Sequence, residues 1–404
     1  MEVFVMDNDQ FGAVVPPVYR TSTFAAPTAQ LLEQRFRVLL GLEQPPAEGF
    51  SPFIYSRFGT PNSVSVCQAL VKLERGAGFA SVFPSGMSAI FTTIMALVNP
   101  GDVVLYTNPV YGCTDDFFRT ILKKFGIMAV PVDTSDMAEV EGAIQEHQMK
   151  LRVVFLETPS NPIIRHSPIR AIADLAASYP GCNGNPLVVV DNTFLGPVFQ
   201  SPFLHGADAV VYSATKFLGG HSDLLGGVAL TRDEALMREI LSLQYTSGPV
   251  FSADACALLE RSIETVSLRM GQEAKVASDI AMILQRHPRV TRVMHPSLLA
   301  AEDGEQWDVY CAQCTGVGSM IAFLVDGGKE EAYRFIDALQ VFRKAVSLGG
   351  THSLAIVPAF TTHLSVPDEI KAQSGVLPNL ARLSIGTEDS DALIRDVKQA
   401  LDSI

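Results

Sequence analysis

The segment Ser213-Ala214-Thr215-Lys216-Phe217-Leu218-Gly219-Gly220 places one lysine behind two hydroxyl residues and ahead of a glycine pair. A lysine withdrawn from water can form an imine with an aldehyde, and hydroxyls beside it can donate to a phosphate. Upstream, Pro186-Leu187-Val188-Val189-Val190-Asp191-Asn192-Thr193 ends an apolar run in a carboxylate. Brought to one sheet edge, the two suit a cofactor of the pyridoxal phosphate type. Lys216 would carry the imine, and Asp191 would keep the ring nitrogen protonated so that the ring accepts electrons. Taken singly, each has a plainer reading: Lys216 as a surface lysine in a Gly-rich turn, Asp191 as a cap after a strand.

Short apolar, β-branched runs can deliver these residues. Ala207-Asp208-Ala209-Val210-Val211-Tyr212 reads as a buried strand ending just before Ser213, which puts Lys216 at the carboxyl end where open sheets bind ligands. Val103–Tyr106, Met128–Val132 and Arg152–Leu156 read as further strands with helical patterns between them, the signature of a doubly wound, mostly parallel sheet. Pro84-Ser85-Gly86-Met87-Ser88 opens a helical pattern, so its first amides can receive a phosphate; a plain serine cap is the simpler alternative. Tyr111 falls in a loop after a proline, where an aromatic can stack on a ring or sit at an interface. Residues 1–62, rich in Pro and aromatics, read as an irregular arm that packs on another subunit. Residues 63–252 read as the α/β domain. Residues 253–404, with a long helical stretch around Ala255 to His287 and a strand over Val317–Phe323, read as an α+β domain.

Composition narrows the class. The chain has 404 residues, 48% hydrophobic and 18% charged, which describes a globular protein of more than one core. A formal net charge of -13 argues against nucleic acid or an anionic membrane as partner. No apolar run reaches spanning length and the start does not resemble a signal peptide, so a cytoplasmic enzyme is the expectation. Six scattered cysteines make no disulfide framework, and Cys311 with Cys314 forms one CxxC with no second pair or histidine cluster. Reduced thiols and no metal are therefore expected. Neither a Walker loop nor a strand-linked GxGxxG occurs.

Together the motifs resemble the Cys/Met metabolism family of pyridoxal phosphate enzymes, which includes cystathionine synthases and lyases and methionine γ-lyase. The resemblance runs through Tyr55-Ser56-Arg57-Phe58-Gly59, Ser85-Gly86-Met87, Tyr111-Gly112, Glu157-Thr158-Pro159-Ser160-Asn161-Pro162, Asp191-Asn192-Thr193, Ser213-Ala214-Thr215-Lys216, Ser347-Leu348-Gly349-Gly350 and Arg382-Leu383-Ser384-Ile385-Gly386. It implies the type I fold of such enzymes, with Lys216 as imine and mobile base, Asp191 on the ring nitrogen and Tyr111 stacked on the ring near the leaving group. Ser85, Gly86, Met87, Ser213 and Thr215 would hold the phosphate, joined by Tyr55 and Arg57 from a neighbouring subunit of a homotetramer. Arg382, with Asn161 and Ser347, would clamp the substrate carboxylate. The activity implied is γ-elimination on an L-amino acid, or alternatively γ-replacement; a cofactor-binding regulator is more remote. Cys113 and Val346 resemble methionine γ-lyase, whereas Gln244-Tyr245 and His352 depart from it. Cys113, Gln244, Val346 and His352 are thus expected where the substrate side chain fits, and a long arm between Thr28 and Phe53 would reshape the entrance.

Overall fold

A computed structural model describes residues 12–46, 50–181 and 184–404. Seven strands, β1 (Phe79–Phe83), β2 (Val103–Thr107), β3 (Met128–Val132), β4 (Leu151–Glu157), β5 (Leu187–Asp191), β6 (Ala209–Ser213) and β7 (Gly227–Thr231), form one sheet. Their order is β1-β7-β6-β5-β4-β2-β3; β2 to β6 pair in parallel, and β7 runs against both of its neighbours. Alternation along each strand feeds two cores. Val103, Leu105, Val188, Val190 and Val210 face helices Pro61–Leu73, Met137–His147 and Ile169–Ser178. Val104, Tyr106, Val189 and Val211 face helices Gly86–Leu97 and Glu234–Ser247. Full burial of each such side chain contributes about 1.5–3 kcal/mol, which is why both faces of the parallel sheet are apolar and covered.

A smaller sheet follows, made of β8 (Val290–Met294), β9 (Met320–Val325), β10 (Arg343–Lys344), β11 (Leu354–Ile356) and β12 (Leu380–Ser384), in the order β10-β11-β12-β9-β8. Ile280 and Leu284 of helix Val266–Arg286, Phe335 of Lys329–Ala338, and Leu393 and Val397 of Ser390–Asp402 close its core with Phe323 and Leu383. The architecture is the doubly wound, mostly parallel sheet with a smaller α+β part that the apolar runs predict.

Several boundaries differ from expectation. The stretch read as one helix from Ala255 to His287 is two, Ala253–Ile263 and Val266–Arg286. Arg269 stabilises the break: one guanidinium nitrogen donates to Ser262 O at 2.9 Å while the other donates to Phe217 O at 2.8 Å, so a side chain adds to the bonds that hold the turn. β9 starts at Met320 rather than Val317, after Gly318 turns at φ +71. β6 continues through Ser213 rather than stopping before it. Residues 1–11 and 47–49 of the arm lie outside the described residues, but the rest is not wholly irregular. Helix Ala29–Leu39 starts on a Thr28 cap, and its buried Arg35 donates to Ala25 O at 3.1 Å and Phe53 O at 3.0 Å, tying the helix to both flanks of the arm.

Candidate active site

Parallel pairing sets Glu157 opposite Asp191, the last residues of β4 and β5, and Ser213 ends the adjacent β6. Three polar side chains thus share one carboxyl edge. Asp191 is buried and accepts the Thr193 amide at 3.0 Å. Burial pushes its carboxyl up to about 6, against the pull of Thr193. Lys216 follows in a turn closed by its own N–H to Ser213 O at 3.1 Å and by Gly220 N–H to Lys216 O at 2.7 Å. Its ammonium donates to Ser347 Oγ at 2.7 Å, and burial, helped by the Arg382 charge, lowers it to about 8. Near neutral pH such a lysine is poised to give or take a proton.

The second sheet supplies the opposite wall. Arg382 of β12 is buried; it donates to Asn161 Oδ1 at 2.8 Å and to Ser347 O at 3.2 Å, and burial lowers it to about 10 although Glu157 opposes the shift. Ser347 holds φ at +98, a conformation costly for a non-glycine residue, and so turns hydroxyl and carbonyl toward two different cations. Tyr111 precedes the short helix Gly112–Asp116; burial and a hydrogen bond with Cys113 raise its phenol to about 12, so it stays protonated.

At the amino end of helix Gly86–Leu97, Ser85 caps Ser88 N–H at 3.1 Å, which leaves the first amides, those of Gly86 and Met87, without partners inside the helix. A Cβ on Gly86 would lie 2.8 Å from Ser213 Cβ and 2.9 Å from Ser213 Oγ, so only glycine lets the helix end approach the strand end this closely. Thr215 differs from expectation in part: its hydroxyl donates to Gly226 O at 3.3 Å and accepts Gly226 N–H at 3.0 Å, holding the turn toward β7.

Not every expected residue joins this cluster. Among the described residues, Tyr55 and Arg57 make no hydrogen bond to Ser85, Gly86, Met87, Ser213 or Thr215 within the chain; Arg57 donates to Tyr245 O and lies 4.4 Å from the Phe58 ring centre. Gln244 is a correction. Far from lining a substrate path, it is buried under β1, accepting Ser81 Oγ–H at 2.7 Å and donating to Val82 O at 2.7 Å. A side chain that satisfies two strand groups is a structural amide. Val346, Ser347, Thr215 and His352 line one cavity, and Cys113 is exposed beside Tyr111.

Two residues with no expected role emerge. Glu157 accepts Asn161 N–H at 2.8 Å and Tyr111 N–H at 3.2 Å, so one buried carboxylate holds both substrate-side loops. Burial, then the Asp191 charge, push it well above the usual carboxylate range. It follows directly on the run read as a strand, and matching strand ends would have paired it with Asp191. His363 is buried against Asn161 O at 3.3 Å and is lowered to about 4 by burial and by Arg382. No local pattern marks it.

The model of the family described as Cys/Met metabolism PLP-dependent enzymes matches residues 4–402. The chain belongs to that family. It is 38% identical to L-methionine gamma-lyase of Pseudomonas deceptionensis, covering 96% of this chain and 93% of the relative, and 36% identical to cystathionine gamma-lyase of Bacillus subtilis, covering 99% and 97%. Among solved structures, cystathionine gamma-lyase of Lactobacillus plantarum complexed with L-serine aligns with a TM-score of 0.86 at 34% identity, over 97% of this chain and 94% of that one. Cystathionine gamma synthase of Xanthomonas oryzae pv. oryzae aligns with 0.88 at 30% identity, over 99% and 96%. As a member of the Cys/Met metabolism family, the chain is a pyridoxal phosphate-dependent enzyme, and an amino acid is its class of substrate. Among the described residues no helix is long and apolar enough to cross a membrane.

Proposed function

We propose that the protein catalyses γ-elimination on an L-amino acid with a leaving group on Cγ, consuming one water and releasing a 2-oxo acid, ammonia and the protonated leaving group. The observation that carries this is the joint placement of Lys216 and Arg382 on Ser347, 2.7 Å from the Lys216 ammonium through its hydroxyl and 3.2 Å from the guanidinium through its carbonyl. A carboxylate held at Arg382 sets its Cα beside Lys216. Elimination is favoured over replacement by the lyases among the relatives and by the apolar Val346 on the cavity wall.

The residues fit pyridoxal phosphate. Among the described residues the Gly86 and Met87 amides have no partner and, with the Ser213 hydroxyl beside them, suit its phosphate, while the buried Asp191 has no ion-pair cation there, which a ring nitrogen would supply. When bound, the cofactor supplies an aldehyde for the substrate amine and a ring that stores the electrons left at Cα. Lys216 removes the Cα proton and returns protons to the carbon chain; its lowered basicity suits both directions. Tyr111, held protonated, donates to the leaving group. Arg382 and Asn161 grip the carboxylate, a bidentate task for which a planar fork is suited.

Tyr55 and Arg57 complete the phosphate site of a neighbouring copy in a homotetramer built of dimers. Support comes from the arm, where Val14 is 99% and Val15 72% exposed, apolar surface that a second subunit would cover. The setting is cytoplasmic. Incubation of the pure protein with a panel of γ-substituted L-amino acids tests the activity: ammonia and 2-oxo acid form in equal amounts. Coupling of the substrate to an added thiol without ammonia release would identify a γ-replacement synthase instead.

A further inference from the structure

We propose that Arg343 and His352 form a distal subsite for an anionic end, foremost a carboxylate, on the group attached to the substrate's Cγ; the proposal rests on the γ-elimination reading above and deepens it by naming a substrate class. A cavity of about 500 Å³ has Thr215, Ser347, Val346, Arg343 and His352 in one lining. Ser347 marks the reacting end through its hydrogen bond to Lys216. Arg343 stands four residues earlier on the same segment, a chain distance of up to about 13 Å, so it meets a substituent several atoms beyond Cγ rather than the α-carboxylate, which is the task of Arg382.

Strand alternation aims the two cations of β10 apart. Lys344 donates to Asp337 O at 3.1 Å and pairs with the Asp337 carboxylate at 3.5 Å, while Arg343 lines the cavity. The Arg343 backbone is fixed by its N–H to Ser353 O at 2.9 Å and by pairing with Leu354, yet among the described residues its guanidinium makes no hydrogen bond or ion pair. A guanidinium with five donors and no partner, on the wall of a cavity that also holds Ser347, the hydrogen-bond partner of Lys216, is set to hold a carboxylate by two parallel bonds. His352 adds a ring N–H donor in the same lining. The one acid there is Asp223, which forms no ion pair with Arg343. Glu388, which lies beyond the end of β12, accepts the Ser353 N–H at 2.6 Å and the Ser353 hydroxyl at 2.8 Å and is committed there. Ala345, Val346 and Leu354 add apolar surface to the same lining, suited to the methylenes of a thioether.

Three thioethers that share one S-ethylene linker and differ in terminal charge test this: S-(2-carboxyethyl)-L-homocysteine, its side-chain methyl ester and S-(2-aminoethyl)-L-homocysteine. Elimination of the first consumes one water and yields 2-oxobutanoate, ammonia and 3-mercaptopropionate. The expected order of kcat/KM is carboxylate, then ester, then ammonium, with about tenfold or more between carboxylate and ester, the worth of one charge-assisted hydrogen bond. In Arg343→Met that ratio falls to near one, with the difference in KM. A flat order in the wild type, a preference for the ammonium compound, or a ratio that survives Arg343→Met overturns the subsite. If none of the three releases ammonia, the elimination reading fails by itself, and the subsite is read instead from dissociation constants obtained by titrating the absorbance of the bound cofactor. The same order there, lost in Arg343→Met, sustains it, and equal constants overturn it. Near-UV circular dichroism of Arg343→Met matching the wild type excludes misfolding as the cause.

Discussion

Glu157 and Asp191 face each other as register partners at the ends of β4 and β5, two buried carboxyls on one sheet edge with different tasks. Asp191 is braced by Thr193, whereas Glu157 ties down the amides of Tyr111 and Asn161. Burial raises both, and the neighbouring Asp191 charge raises Glu157 further.

Glu157→Gln therefore sets an amide donor against one of two backbone donors. Leaving a buried donor unpaired costs roughly 1–3 kcal/mol, and Tyr111 and Asn161 lose their common anchor. Denaturant unfolding should show a loss of that size, and KM should rise more than kcat falls. Unchanged stability would mean that the two amides find other acceptors.

Gly86→Ala tests the phosphate cradle. The added methyl lies under 3.0 Å from Ser213, so the helix end or the strand end must shift. Cofactor affinity, measured by equilibrium dialysis, should drop while the far-ultraviolet circular dichroism persists; retention at wild-type affinity would remove the cradle from the phosphate site.

Tyr111→Phe keeps the ring and removes the proton. The yellow absorbance of the lysine-bound cofactor should persist while ammonia release slows roughly 10²–10⁴-fold. Because the phenol is raised to about 12, the alkaline limb of the wild-type rate profile should not come from Tyr111 below about that pH.

Glu74 gives a pH test remote from catalysis. It is 2% exposed, accepts the Tyr212 hydroxyl on one oxygen and leaves the other without a partner. Burial raises it to about 7 from 4.5, so the folded state holds its proton more tightly than the unfolded chain. Its stabilising contribution is complete below the unfolded value and is lost as pH rises through the folded one, roughly 3 kcal/mol in all. Glu74→Gln should flatten that loss. Urea midpoints for the two proteins should differ more at pH 8 than at pH 5, with the variant the more stable at pH 8, and parallel curves would exclude Glu74 as the source.

The order of motifs along the chain, the apolar runs and the acid and lysine at strand ends are local properties, and the sequence by itself determined the sheet and the family and singled out Lys216, Asp191, Ser85, Gly86 and Met87 as candidates. Periodicity identifies a strand because burial on both faces demands apolar residues at every position. Relations across the chain were not legible. Glu157 holding Tyr111 spans 46 residues and Arg382 holding Asn161 spans 221, distances over which no local pattern operates. The same limit misplaced Gln244, whose amide could face either a substrate or β1 until packing put Ser81 and Val82 beside it. It also left Arg343 unremarked, because only the fold of β10 turns Lys344 to Asp337 and Arg343 to the cavity that Ser347 lines. Tertiary structure decided these points because a hydrogen bond depends on where two groups meet in space, and the chain's own order does not encode that.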